Sequence, residues 1–404
     1  MKYVIVLGDG MGDYPVEELN GQTPLQKAHK PTIDYLAAHG VMGEAQTIPE
    51  EFSPGSDIAN LSVMGYNPAE CYSGRSPLEA ASIGVELEEN DVSFRCNLVT
   101  LSDEKNFVDK QMVDYCSQEI STPEARELID ALNEKLATEK INFYSGISYR
   151  HLMLWREGPE KWELTPPHDI LGEKIANYLP RGEHEKTLQK IMEESFQILK
   201  NHPINLQRSS RGLQPANTAW IWGEGKKPAF TPFSKKFGLQ GGVISAVDLI
   251  KGIGHLSAMK VIEVEGATGN IDTNYAGKAG AALQALDEGL DLVYIHIEAP
   301  DECGHRHEIE NKVKAIEYID HNVVKLIKEK LDFQGEEYKI MVLPDHYTPL
   351  SLRTHTKDPV PFVIYQSNFH QERRDRGFHE ESAKAAANYH PYGYRLMEYF
   401  LNNK

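Results

Sequence analysis

Three apolar runs in this chain each lead into an aspartate, and that arrangement limits the fold more than any other feature. Tyr3–Leu7 is followed by Asp9, Leu292–Ile297 by Asp301, and Lys339–Leu343 by Asp345. The runs are short, rich in Val and Ile, and bounded by Gly, Pro or Asp. Strands buried on both faces of a parallel sheet read this way. Lys260–Val264 and Val360–Tyr365 have the same character. Between them lie helical patterns. Gly277–Glu288 is rich in Ala and Leu, and Asn311–Leu331 sets Val313, Ile316, Ile319, Val323 and Ile327 three or four residues apart. Strands alternating with helices imply an α/β fold, with a mostly parallel sheet flanked by helices. Ligands of such sheets bind at the carboxyl ends of the strands, so Asp9, Asp301 and Asp345 are expected on one rim.

Histidines follow the same strand ends. His305 comes four residues after Asp301, His346 directly follows Asp345, and His355 stands just before Val360–Tyr365. A single strand-end Asp is ordinarily a turn or N-cap residue. Three on one rim repel one another, and a fold tolerates that when cations sit between them. Mixed carboxylate and imidazole ligands suit two divalent ions, with Mn²⁺ the first choice and Zn²⁺ or Mg²⁺ the alternatives. The other histidines, including His29, His39, His255, His321 and His370, read as surface or core filler.

Val41–Ile48 reads as a further strand, followed by a Pro54-Gly55 turn. Ile58, Leu61 and Met64 then take helical spacing, which sets Ser56 at a helix N-terminus, where free N–H groups favour an anion. Ser56 or Asp57 reads first as an N-cap. A metal beside its Oγ would make Ser56 a nucleophile toward phosphorus.

Composition narrows the partners. The 42 Lys+Arg against 60 Asp+Glu give a net charge of −18, which argues against nucleic acid as the main partner. No apolar run reaches the ~20 residues that span a bilayer, so no membrane partner is expected. The N-terminal apolar stretch reads as a strand, too short for a signal sequence. The cysteines Cys71, Cys96, Cys116 and Cys303 are scattered, which points to the reducing cytoplasm and away from disulfides or a Cys zinc site. Gly8-Asp-Gly-Met-Gly is not a G-x-G-x-x-G and no Walker A sequence is present, so no nucleotide cofactor is expected. The oligomeric state is left open.

The middle of the chain reads differently, with short alternating runs at Asn142–Tyr144 and His151–Trp155 and helical stretches at Pro123–Ala137 and Glu185–Lys200. The sheet begins, pauses and resumes. The expected organisation is a discontinuous core, 1–90 and 255–404, carrying an inserted α+β cap, 91–254. The Pro/Gly-rich stretch Arg211–Gly242 is expected as the return linker.

Motifs in the chain carry a family resemblance. They are Gly-Asp-Gly-Met-Gly-Asp at 8–13, Pro-Gly-Ser-Asp at 54–57, Gly-Arg-Ser-Pro-Leu-Glu-Ala-Ala at 74–81 and Phe-Arg-Cys-Asn-Leu at 94–98. Gly-Ala-Thr-Gly at 266–269, Asp-x-x-Gly-His at 301–305, Asp-His at 345–346 and His-Thr-x-x-Pro-Val-Pro at 355–361 follow. Together they resemble the alkaline phosphatase superfamily and, more closely, cofactor-independent phosphoglycerate mutases of the archaeal type. The resemblance implies interconversion of 3-phosphoglycerate and 2-phosphoglycerate, with Ser56 as the nucleophile that becomes phosphoserine. It implies one metal held by Asp9, Ser56, Asp345 and His346, and another by Asp301, His305 and His355. The inserted domain would supply substrate contacts.

A small phosphorylated hydroxy acid needs local cations despite the net acidity. In this motif context Arg75, Arg95, Arg150, His151, His168 and Lys251 are the candidates. Two segments depart from relatives. Pro166-Pro167-His168-Asp169 stands where many have Asp-Pro-His, and tryptophans occupy Trp220-Ile-Trp-Gly. Both belong to the part that selects the substrate. Transfer to another hydroxyl acceptor such as homoserine, and a metal-dependent phosphatase, therefore stand as rival readings.

Overall fold

The computed structural model describes residues 1–369 and 376–402. The chain divides into two compact units, Met1–Tyr72 with Ala229–Lys404, and Ser73–Pro228. These junctions lie at 72/73 and 228/229; the sequence reading sets them at 90/91 and 254/255. In chain order the described strands are β1 Lys2–Gly8, β2 Val41–Ala45, β3 Val92–Leu101, β4 Met112–Asp114, β5 Ile141–Tyr144, β6 Arg150–Trp155, β7 Trp162–Glu163 and β8 Arg181–Gly182. Then follow β9 Thr218–Lys226, β10 Gly241–Ile244, β11 Lys260–Ile262, β12 Leu292–Ile297, β13 Tyr338–Leu343, β14 Val360–Gln366 and β15 Tyr389–His390.

The first unit holds one sheet in the order β11-β10-β12-β1-β13-β14-β2-β15. β1 pairs in parallel with both β12 and β13, with Leu7 opposite His296 on one side and Leu343 on the other. That register brings the chain out at Asp9, Asp301 and Asp345 along one edge. The sheet is mostly parallel as expected, but the reading of Val360–Tyr365 as a parallel strand is corrected, because β14 runs antiparallel to β13 and to β2. No crossover helix separates it from β13, so the chain turns back along the carboxyl edge and descends. Its side chains are buried through Tyr365, which is why its sequence looks like the others.

Helices cover this sheet with small and branched residues. Ala279, Ala282 and Leu286 of Tyr275–Asp287 pack in one cluster with Val4, Val6, Val293, Ile295, Ile340 and Val342. Asn274 opens that helix by accepting the Gly277 N–H at 2.8 Å. The expected helix Asn311–Leu331 is interrupted. It runs as Ile309–Ile319 and Lys325–Gln334 around a π-helical turn, Asp320–Val324. Buried Asp320 accepts the Ile33 N–H at 2.6 Å, and the extra residue of the wider turn keeps Ile319, Val323 and Ile327 in the core.

The second unit is built on antiparallel β4-β3-β6-β5, with β9 added along β3. Helices Thr122–Leu136 and Glu185–Leu199 bury Leu128, Leu132, Leu188 and Phe196 with Phe94, Leu98 and Trp220. Helix Ser76–Ser82 belongs to the same unit, and its Ala80 packs with Leu152 and Leu154. The return-linker expectation is narrowed: the 228/229 junction lies within Arg211–Gly242, but that stretch also contains all of β9 and opens β10. Its glycines hid the strand. Gly223 takes φ +60° where the β3–β9 register shifts, and Gly225 lets Pro77 approach, so the usual alternation is lost.

Candidate active site

Asp9, Asp301, Asp345 and His346 are buried at the carboxyl edge of the first unit's sheet, each leaving its strand within a few residues of the next. The turn after Asp9 demands a glycine. Gly10 has φ +62°, and a Cβ there would lie 2.8 Å from the Asp301 Cα. Asp345 is held at both oxygens. Its Oδ1 accepts the N–H groups of Gly10 at 3.2 Å and His346 at 2.9 Å. Its Oδ2 accepts from Asn60 Nδ2 at 2.8 Å.

The histidine tautomers follow from their partners. Ser245 Oγ accepts the Val247 N–H at 2.9 Å, so its own proton goes to His296 Nδ1 at 3.2 Å. His296 then donates from Nε2 to Asp9 Oδ2 at 3.0 Å. Thr348 Oγ1 donates to Asp301 Oδ1 and so accepts the Nδ1–H of His346 at 3.3 Å. His305 donates from Nδ1 to the Arg353 carbonyl at 2.9 Å. Two Nε2 atoms are thereby turned inward, that of neutral His346 as a lone pair and that of His305 as a donor to Asp301. That of His346 lies 3.0 Å from Ser56 Oγ and 3.5 Å from Asp9 Oδ1. That of His305 lies 2.9 Å from His355 Nε2 and 3.2 Å from Asp301 Oδ2.

Electrostatics marks the same spot. Burial, then Asp345, Asp301 and Glu298, push the Asp9 carboxyl well above the ordinary carboxylate range. Burial also works to raise Asp301, but hydrogen bonds from His305 and His355 hold it well below. The bond to Asp301 lifts His305 to about 9. Burial drives His296 down to about 4 and lowers His346, so both act as neutral rings.

These residues fit a cation. Asp9 Oδ1 is buried without a hydrogen-bond partner, beside an inward-facing imidazole lone pair. Asp9, Asp345 and His346 bring ligand atoms within 4.8 Å of one another, and so do Asp301, His346 and His355. Oxygen and imidazole donors in such sets suit divalent transition ions.

Ser56 opens the helix Ser56–Val63, with Gly55 rather than Ser56 or Asp57 at the N-cap position. Asp57 is engaged locally, accepting the Ile58 N–H at 2.9 Å and the Tyr72 hydroxyl at 2.6 Å. The Ser56 hydroxyl therefore has no capping duty and meets His346.

The substrate candidates are split between the units. In the second, Arg75 and Arg95 both bond Glu79, each at 3.0 Å. Arg95 lies 4.2 Å from the centre of the Trp222 ring, and His168 packs edge-on against the same ring. Trp222 in turn donates to Asn97 at 3.0 Å, which gives the unexpected tryptophan a purpose: it is the platform for the Arg95 guanidinium and the His168 ring. Asp169 stands 3.5 Å from His168. Exposed Arg150 rests on Tyr149. His151 is buried, accepts the Gly146 N–H at Nδ1, and leaves Nε2 without a partner. Burial drives its ring down to about 3, so it is neutral. Lys251 lies in the first unit, paired with Glu263 at 2.8 Å. His370 falls outside the described residues.

Sequence reasoning passed over Asn60, Tyr294, His296, Thr348 and Ser245. Asn60 had a signal, since a position four after Ser56 shares its helix face. The others gave none beyond lying at the ends of strands.

Comparisons with known proteins bear on the family. Residues 37–205 match the model of the family described as 2,3-bisphosphoglycerate-independent phosphoglycerate mutase. A probable mutase of this kind from Geobacter sulfurreducens is 50% identical over all of both chains. Another from Methanosarcina mazei is 51% identical over 95% of each. The solved cofactor-independent phosphoglycerate mutase of Thermoplasma acidophilum superposes with a TM-score of 0.68 at 26% identity, over 99% of each chain. The PH0037 protein of Pyrococcus horikoshii reaches 0.82 at 27% identity, over 99% of this chain and 96% of its own. Half-identity maintained from end to end places the chain in the 2,3-bisphosphoglycerate-independent phosphoglycerate mutase family.

Proposed function

We propose that the protein interconverts 3-phosphoglycerate and 2-phosphoglycerate through a phosphoserine at Ser56. The observation that carries this reading is Ser56 Oγ, 3.0 Å from His346 Nε2, with the unpartnered oxygen of Asp9 3.5 Å beyond. Two divalent ions, Mn²⁺ before Zn²⁺ or Mg²⁺, would be held by Asp9, Ser56, Asp345 and His346, and by Asp301, His305 and His355. When bound they offset charge on the transferring phosphoryl group and ease ionisation of the seryl hydroxyl.

Ser56 Oγ attacks phosphorus, and its proton ends on the departing 3-oxygen. Glycerate is kept and turned. Its 2-hydroxyl then attacks the phosphoserine, and the seryl oxygen leaves and regains a proton. Arg75, Arg95, Arg150, His151, His168 and Lys251 clamp phosphate and carboxylate, with fixed donors stabilising the charge that develops. Exclusion of water separates a mutase from a phosphatase, because phosphoserine exposed to water hydrolyses. No described helix is long and apolar enough to cross a membrane. The four cysteines are free thiols, which supports a cytoplasmic setting.

The test uses purified protein, chelated and then resupplied with Mn²⁺. One arm receives 3-phosphoglycerate, another ATP with homoserine, and free phosphate is followed in both. We expect 2-phosphoglycerate in the first arm, little phosphate, and no turnover by Ser56→Ala. An unchanged mutase rate in Ser56→Ala would overturn the covalent route. Homoserine phosphorylation without 2-phosphoglycerate would overturn the substrate.

A further inference from the structure

We infer that Asn60 is a positioning residue that holds the nucleophile's backbone and the Asp345 carboxylate in register. The inference rests on the reading of Ser56 as nucleophile and Asp345 as a metal ligand. Asn60 is fully buried, and both its donors and its carbonyl oxygen are engaged. One Nδ2 proton goes to the Ser56 carbonyl at 2.8 Å and the other to Asp345 Oδ2 at 2.8 Å. Its Oδ1 accepts the hydroxyl of buried Tyr294 at 2.6 Å.

This amide has one stable orientation. Turned over, it would set a carbonyl oxygen against the Asp345 carboxylate and against the Ser56 carbonyl, with nothing to donate to either. Tyr294 lies on β12 and reaches Asn60 from beneath the site. A strand, a helix and Asp345, just beyond the end of β13, are therefore tied through one side chain. Asp345 Oδ1 is already committed to Gly10 and His346. The bond to Asn60 removes the remaining freedom of the carboxylate to rotate, and the bond to the Ser56 carbonyl fixes where the nucleophile begins relative to it. Groups that orient metal ligands in this way typically cost 10–100-fold in affinity or activity when removed.

The test uses full-length protein carrying Asn60→Leu, Tyr294→Phe and the two combined. Asn60→Leu leaves the Tyr294 hydroxyl buried without an acceptor, and the double variant removes that second defect. We expect kcat to fall roughly 10–100-fold in Asn60→Leu. KM for 3-phosphoglycerate should change little, and Mn²⁺ affinity, measured by titration of the folded apoprotein, should weaken. In the double variant the melting temperature should recover while kcat stays low. Recovery of kcat along with stability would show a purely structural role and overturn the inference. So would wild-type kcat in Asn60→Leu. Should the leucine variants not fold, Asn60→Ala removes both donors with less steric demand and adds no charge beside Asp345, and the same kcat loss is expected from it. Failure of the underlying reading is distinct, since it would appear in the unmodified protein as absent mutase activity or as turnover without Ser56.

Discussion

Neutralising Asp9 should stabilise the metal-free protein and reduce the stability gained on metal binding. In Asp9→Asn the side-chain carbonyl can still accept from His296, so the existing 3.0 Å bond is kept. The new amide N–H faces the His346 lone pair that lies 3.5 Å from Asp9 Oδ1. Only the charge is lost. Ligand atoms of Asp9 and Asp345 lie within 4.8 Å of each other. At an effective dielectric constant near 20, two full charges at that separation repel by about 3.5 kcal/mol. Without metal, wild-type Asp9 escapes part of this by staying protonated, so the variant should gain at most about 3 kcal/mol, or roughly 6–12 °C for a unit of this size. With Mn²⁺ at a hundredfold excess over its Kd, the wild type gains about 2.7 kcal/mol per ion, and the variant gains less.

The pH dependence gives a second check on the same variant. The Asp9 pKa is raised in the folded protein. Its contribution is therefore fully present below the ordinary carboxylate value and is lost as pH rises through the raised one. The advantage of Asp9→Asn over metal-free wild type should shrink on acidification and grow toward pH 8. Thermal melts of chelated and Mn²⁺-loaded protein across that range measure both effects. If Asp9→Asn melts below wild type with and without metal, at every pH, the repulsion argument is wrong and Asp9 is an ordinary buried polar group.

Other expectations concern single contacts. Thr348→Val removes the hydroxyl shared by Asp301 and His346, and chelator competition should show metal binding weakened by roughly 10–100-fold. Arg95→Lys keeps the charge but loses the planar fit to Trp222 and Glu79, so KM should rise more than kcat falls; the opposite split would move Arg95 out of substrate binding. Trp222→Leu removes the surface on which Arg95 and His168 rest, and steady-state kinetics should show a KM increase of the same kind. Asp320→Ala leaves the Ile33 N–H without its side-chain acceptor and should destabilise the fold by about 1–3 kcal/mol in denaturant melts, with metal affinity unchanged.

The clustering of the candidate site was legible because its carboxylates come shortly after strands. Asp9, Asp301 and Asp345 follow β1, β12 and β13, and parallel register carries each to the same edge. What escaped was set by contacts distant in sequence. His296 looks like one more residue of an apolar strand until Ser245 fixes its tautomer and Asp9 receives its proton. β14 gives no sign of its direction, since burial on two faces leaves the same apolar run whether a strand ascends or descends. β9 was obscured by glycines that serve a bulge and a close approach. The π-helical turn at Asp320–Val324 keeps helical spacing on both sides, so periodicity passes straight through it.

The place of β1 in the sheet has a consequence for how the chain is made. Both of its neighbours, β12 and β13, lie in the last third of the given sequence, yet β1 is made long before either. Until nearly three hundred residues have followed, its apolar edges have no native partner, whereas Ser73–Pro228 is complete well before then. The sheet around β1 can therefore close only after β12 and β13 have been made. A long wait of this kind exposes a nascent chain to aggregation and places a premium on chaperone cover for its first seventy residues.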